Sequence, residues 1–189
     1  MANSEIRVPV LDTERLRLRG FTEDDTEPLF ALMQDPDVVR YIGDRRIPTR
    51  QEVWRGIAGY IGHWALRGHG LWAAEDRASG ELVGRIGILN PLEWPGPEIA
   101  YTLGRRWWGR GLATEGARAA MDWGFAQLDV DELISLIDPA NAASIAVATR
   151  LGERLKGETD LWGNRVLVYA IGRDDWPSSN ERGGAVARQ

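Results

Sequence analysis

Leu103-Gly104-Arg105-Arg106-Trp107-Trp108-Gly109-Arg110-Gly111-Leu112-Ala113-Thr114 decides how this chain folds. The stretch follows a strand-like run, Glu98-Ile99-Ala100-Tyr101-Thr102-Leu103, and opens a helical pattern that reaches about Leu128. A strand, a glycine-rich turn and a helix start together form an anion-binding site. The free N–H groups of the first helical turn point outward, and the helix dipole adds positive potential. Gly109 and Gly111 let the backbone take positive φ or approach a ligand closely. Arg105, Arg106 and Arg110 add charge, so phosphate is the natural guest. A Rossmann fingerprint would need a third glycine where Thr114 stands, and a P-loop would need Gly-Lys-Ser/Thr, which the chain lacks.

Composition narrows the classes. A chain of 189 residues suggests one domain, and it can bury enough surface to fold without a metal or a disulfide. With no cysteine there is no disulfide framework, thiolate metal site or cysteine nucleophile. Two histidines, His63 and His69, argue against a multi-histidine metal site, so no metal is expected. A net charge of −5 argues against a nucleic-acid partner. No apolar run is long enough for a membrane span, and Met1 onward shows no signal-peptide core; a cytoplasmic protein is expected.

Working outward, residues 13–19 alternate apolar and charged side chains, as a half-buried strand does. Thr22 with Glu23-Asp24-Asp25 reads as the start of a helix to about Met33, broken at Asp35-Pro36-Asp37. Thr49 caps a second helix through Trp54 to about Leu66. The two histidines beside its end read as surface residues. Strands follow at 71–75 and 81–89, joined by the turn Arg77-Ala78-Ser79-Gly80. Asn90 to Pro97 holds three prolines and must be loop. After the strand 98–103 and the helix 111–128, the apolar run 133–137 suits a buried parallel strand, making a βαβ unit with a right-handed crossover. A short helix over 142–151 ends at Gly152, and strands near 154–160 and 165–172 finish a domain spanning 1–176. Residues 177–189 are polar and glycine-rich, which predicts a disordered tail.

This element order, with Arg106-x-x-Gly109-x-Gly111 in the loop, resembles the GNAT N-acetyltransferases. Trp108-Gly109-Arg110-Gly111-Leu112-Ala113-Thr114-Glu115 and Pro139-x-Asn141-x-x-Ser144 are similar to motifs of the RimJ/RimL-like branch. The resemblance spans about Leu11 to Arg173. It implies an α/β (α+β) fold: a mixed, mostly antiparallel sheet with splayed parallel strands at the acyl-CoA site, flanked by about four helices. It also implies an acyltransferase that uses acetyl-CoA and no metal, in which an amine attacks the thioester directly within a ternary complex. The acceptor would be a protein N-terminus or a small-molecule amine, and the branch is compatible with a homodimer. Two departures stand out: Gly152-Glu153 replaces the usual Gly-Phe or Gly-Met, a change expected to affect packing rather than chemistry, and the last helix has no tyrosine.

The roles carried over by the resemblance are specific. Backbone N–H groups of Trp107, Trp108, Gly109, Arg110, Gly111, Leu112 and Ala113 would hold the pyrophosphate, with Arg106 beside them and Thr114 bonding either a phosphate or its own helix. The backbone of Tyr101, Thr102 and Leu103 would pair with the pantetheine arm, and Asn141 would touch it while capping its helix. Glu98 would be general base and Ser144 the donor to the departing sulfur. Glu115 is expected to be structural. Tyr41, Trp54 and Trp72 would line the acceptor pocket. Two other readings stay open: a non-catalytic acyl-CoA sensing module, and a dinucleotide-binding oxidoreductase.

Overall fold

The computed structural model describes residues 7–177. The predicted tail beyond Pro177 lies outside the described residues. The described part is one sheet of eight strands with helices on both faces.

The chain enters through β1 (Leu11–Asp12) and β2 (Leu16–Arg19). In β2, Leu16 and Leu18 are buried while Arg17 and Arg19 point the other way, so the alternating pattern becomes one buried face. The helix expected from Thr22 divides: a 3₁₀ turn (Glu23–Asp25) precedes α1 (Thr26–Met33). Asp25 is buried there and accepts two hydrogen bonds from the Arg19 guanidinium and one from the Thr22 N–H, all at 2.8 Å. Asp35-Pro36-Asp37 does end α1, but Pro36 then opens a single further turn, α2 (Pro36–Val39), capped by the Asp35 carboxylate accepting from the Asp37 N–H at 2.9 Å. Proline suits that position because a first-turn N–H has no intrahelical partner to lose. α3 (Arg50–Arg67) starts at a Thr49–Glu52 capping box and stops at Gly68, whose φ of 72° is left-handed.

β3 (Leu71–Asp76), β4 (Leu82–Leu89) and β5 (Glu98–Leu103) form an antiparallel meander. A Cβ on Gly87 would lie 2.2 Å from the Gly70 carbonyl oxygen, so only glycine fits there. α4 (Leu112–Gln127) crosses to β6 (Glu132–Ile137), α5 (Ala142–Leu151) follows, and β7 (Arg154–Leu161) with β8 (Asn164–Gly172) closes the sheet. The strand order is β1-β2-β3-β4-β5-β6-β8-β7, and β5–β6 is the parallel pair. Those two strands share a single register pair, Glu98 with Ile134, and then splay apart.

Two cores result. Leu71, Ala73, Leu89 and Ala100 face α1 and α3, whereas Ile86, Ile88, Ile99 and Leu133 face α4 and α5. Both faces of the central strands are therefore covered, and they read as continuous apolar runs rather than alternations. The histidines are not surface residues. His69 is buried with its Nδ1 3.0 Å from the Ile88 carbonyl. His63 Nε2 accepts from the Asn90 N–H at 3.1 Å, which leaves its Nδ1–H to donate to the His69 carbonyl at 2.6 Å. Together they pin the turn between α3 and β3 to the end of β4.

Candidate active site

A cavity of about 1520 Å³ runs from the start of α4, through the gap between β5 and β6, to the β7–β8 hairpin. That exceeds the roughly 300–1,000 Å³ that holds one small ligand, so there is room for two.

At one end lies the glycine loop between β5 and α4. Gly109 and Gly111 take φ of 72° and 78°, as their type allows. Gly111 is the N-cap of α4 and offers no side chain, and the N–H groups from Gly109 to Thr114 make no hydrogen bond within the described residues. The first intrahelical bond runs from Glu115 N–H to Gly111 O at 3.0 Å. These unsatisfied donors, at the positive end of a four-turn helix, fit a diphosphate. Glu115 holds the loop in place, as a structural acid should. It accepts from Thr13 Oγ1 at 2.6 Å and from the Arg15 backbone N–H at 2.8 Å. Arg15 in turn donates to Glu115 and to the Arg110 carbonyl. Arg15 carried no signal in the sequence, because its partner is a hundred residues away.

The arginines of the motif behave differently from the expected basic patch. Arg105 pairs with Asp37 at 2.7 Å and Arg106 with Glu81 at 3.0 Å. Arg106 and Arg110 also cover the Trp107 ring at 4.9 and 5.1 Å, and neither lines the cavity. Arg118 and Arg150 do line it, from α4 and α5. Trp107, Trp108, Leu112, Ala113 and Thr114 contribute to its wall. Trp108 donates its indole N–H to the Leu103 carbonyl at 2.8 Å and so fixes the loop to the end of β5.

In the splay, Tyr101, Thr102 and Leu103 present one strand edge to the cavity. The Tyr101 hydroxyl reaches the Ser144 carbonyl at 3.3 Å, tying β5 to α5. Asn141 caps α5, its Oδ1 accepting from Ser144 N–H at 3.1 Å, and it also lines the cavity. Ser144 lines the same space, with its side chain within hydrogen-bonding reach of the Tyr101 hydroxyl.

Glu98 sits at the base of the splay. Its Oε2 accepts from Trp94 Nε1 at 2.8 Å. Burial pushes its carboxyl up to about 7, against the lowering effect of that bond, of the Leu136 N–H and of the Arg85 charge; Glu153 pushes it further up. Trp94 stacks edge-on against Trp162 at 5.1 Å, making an aromatic rim from two loops. Neither tryptophan was singled out by the sequence, where only their turn-rich surroundings hinted at exposure.

Of the three residues expected at the acceptor end, Tyr41 lines the cavity, donating its hydroxyl to the Ala140 carbonyl at 3.2 Å. Trp72 does not: it is 0% exposed and packs between Trp64 and Trp123 on the α4 side of the sheet. Trp54 lies on the outer face of α3, 47% exposed, and bonds Glu23.

Glu153 packs into the interior behind the splay. It is 3% exposed; its Oε1 accepts from Ser135 Oγ at 3.0 Å and its Oε2 has no partner. Burial pushes it up to about 7. The folded state thus keeps a proton that the unfolded chain releases near pH 4.5, so the stability held below that pH is lost as pH rises through about 7. Thermal unfolding at pH 5 and pH 8 should show this. Glu153→Gln should lose about 2–3 kcal/mol less stability than wild type over that interval. Equal losses would show that Glu153 is already ionised at pH 5.

Residues 15–154 match the family model described as an acetyltransferase (GNAT) domain. The chain belongs to the GNAT acetyltransferase family. It is 36% identical to the uncharacterized protein YkkB of Bacillus subtilis, over 84% of this chain and 93% of that one. An acetyltransferase structure from Agrobacterium tumefaciens superposes with a TM-score of 0.77 at 30% identity, covering 90% of this chain and 98% of that one. The RimL ribosomal L7/L12 alpha-N-protein acetyltransferase, solved in complex with coenzyme A, shares the fold (TM-score 0.73, 20% identity, 87% and 98% covered). Among the described residues of this GNAT protein, no cluster of His, Asp and Glu could hold a metal ion, and no helix is long and apolar enough to cross a membrane.

Proposed function

We propose that this GNAT protein is an acetyl-CoA-dependent N-acetyltransferase that moves the acetyl group to a primary amine by direct attack in a ternary complex. The observation that carries this reading is the cavity joining unbonded N–H groups at the start of α4 to the half-buried Glu98 carboxyl, through the splay of β5 and β6. The N–H groups from Gly109 to Ala113 hold the diphosphate, since those of Trp107 and Trp108, also expected there, are spent on the Gly104 and Arg105 carbonyls at 2.9 and 3.1 Å, and the edge of β5 pairs with the pantetheine arm. The motifs around Trp108 and Asn141 favour the RimJ/RimL-like branch.

Glu98 takes a proton from the acceptor ammonium. The amine nitrogen then bonds to the acetyl carbon, the carbon–sulfur bond breaks, and the surplus proton on nitrogen passes to the departing thiolate, so the products are an amide and coenzyme A as its thiol. A buried carboxyl near 7 is a better match to an amine at roughly 8–10 than an ordinary carboxylate would be. The Ser144 hydroxyl hydrogen-bonds to the departing sulfur. Calorimetric titration with acetyl-CoA, beside NADH, tests the first half of this reading. Micromolar binding of acetyl-CoA alone is expected, followed by coenzyme A release with an amine panel. A folded protein that binds no acetyl-CoA would overturn it.

A further inference from the structure

Among the described residues, Arg85 is the one charged side chain on the acceptor side of this cavity that the mechanism leaves without a task and that makes no ion pair. It stands on β4 opposite Thr102, and Leu89 of the same strand stands opposite Glu98. Residues 85 and 89 share a face, so Arg85 and Glu98 project from the same side of the sheet, toward α1 and α3, about 13 Å apart at the backbone. Arg85 Nε donates to Thr102 Oγ1 at 3.2 Å, and the guanidinium lies over the Tyr60 ring at 5.2 Å. Its terminal nitrogens make no hydrogen bond or ion pair within the described residues. Glu98 attracts it only at longer range.

The guanidinium lines the large cavity and also a smaller one of about 180 Å³ between α1, α3 and residues 42–48. Leu29, Met33, Val39, Ile42 and Val53 wall the smaller space. Two acids stand there as well, Asp44 and Glu52, but both are engaged by Arg46 at 2.6 and 2.5 Å. The positive charge of Arg85 therefore has only the Tyr60 ring beside it and Glu98 at longer range, in a half-buried and largely apolar setting that a bound anion would stabilise. Burial without a partner also brings its guanidinium down to about 10.

We propose that Arg85 is an anion-binding subsite for the acceptor, which is an amine carrying a carboxylate on a short apolar stem. This rests on the acetyltransferase reading given above. With Nε held by Thr102, the two terminal nitrogens present parallel donors that match a carboxylate's two oxygens. A monoanion balances one arginine, whereas a phosphate dianion would leave a net charge in an apolar pocket. The smaller cavity holds roughly five or six non-hydrogen atoms at about 30 Å³ each, enough for the stem's end. The amine then lies toward Glu98, along the same face of β4 and β5.

The test compares 4-aminobutanoate, 6-aminohexanoate and 8-aminooctanoate with their carboxamides, and with an aminoalkyl phosphate of matched length, by coenzyme A release. At least one carboxylate should exceed its amide in kcat/KM by roughly 10- to 100-fold. Arg85→Met should abolish that preference and Arg85→Lys should keep part of it, with acetyl-CoA affinity reporting that both variants fold. Equal use of carboxylate and amide by the wild type, preference for the phosphate, or a preference that survives Arg85→Met would each overturn the subsite. If acetyl-CoA binds but no amine turns over, hexanoate against hexanamide decides: hexanoate should raise the Tm of the wild type and not of Arg85→Met, and no difference would overturn the proposal. Failure of acetyl-CoA itself to bind is the separate failure of the acetyltransferase reading.

Discussion

Glu98→Gln is expected to lower kcat/KM by about 10²- to 10⁴-fold while leaving acetyl-CoA affinity within about twofold. The substitution keeps the side chain's size and its bond from Trp94 Nε1, and removes only the capacity to accept a proton. In the wild type, activity should fall as pH drops below about 7, where Glu98 becomes protonated. That acidic limb should vanish in the variant's residual activity. The energetic argument is one of matching: moving a proton from an amine to a carboxyl one to three units more acidic costs about 1.4–4 kcal/mol, against roughly 5–8 for an ordinary glutamate. Near-normal turnover by Glu98→Gln, with a saturating acceptor, would remove Glu98 from the mechanism.

Trp72→Ala should destabilise the fold by about 3–5 kcal/mol in urea unfolding, whereas Trp54→Ala should change it by less than about 1. Trp72 is enclosed by Trp64 and Trp123 with ring centroids at 4.8 and 5.2 Å, and its indole N–H donates to the Pro9 carbonyl at 2.7 Å. Its removal opens a cavity in the core and frees the segment leading into β1. Trp54 is about half exposed, and its indole N–H donates to Glu23 at 3.2 Å on the rim. A small effect at Trp72 would mean that the aromatic cluster collapses around the gap.

Trp72 lies in the core and not at the acceptor pocket because of its strand's pairing. The family resemblance, which implies an acceptor pocket at the first two helices and their loop, carries no information on which face of β3 Trp72 occupies. Leu71, Trp72, Ala73 and Ala74 are all buried, so the strand has no alternation that would tell one face from the other. Only the register, with Trp72 opposite Ile86, sets it on the α4 side, away from the acceptor. Glu98 was legible for the opposite reason: it opens the strand that leads into the glycine loop, and that local order is written in consecutive residues. The same holds for Asn141, whose cap on α5 needs nothing beyond its own turn.

By itself, then, the sequence determined what depends on neighbours along the chain. That covers the order of the elements, the caps at Thr49 and Asn141, the glycine loop with its left-handed residues, and the family to which they belong. Tertiary structure decided what depends on residues brought from far apart. Arg15 braces the loop through Glu115; Trp94 and Trp162 meet at the rim; Ser135 meets Glu153 beneath the splay; Arg85 stands without a counterion. Charge and burial are sums over everything that packs around a group, and no stretch of sequence contains that sum. A carboxyl near 7 and an unpaired guanidinium therefore exist only once the sheet has closed over them.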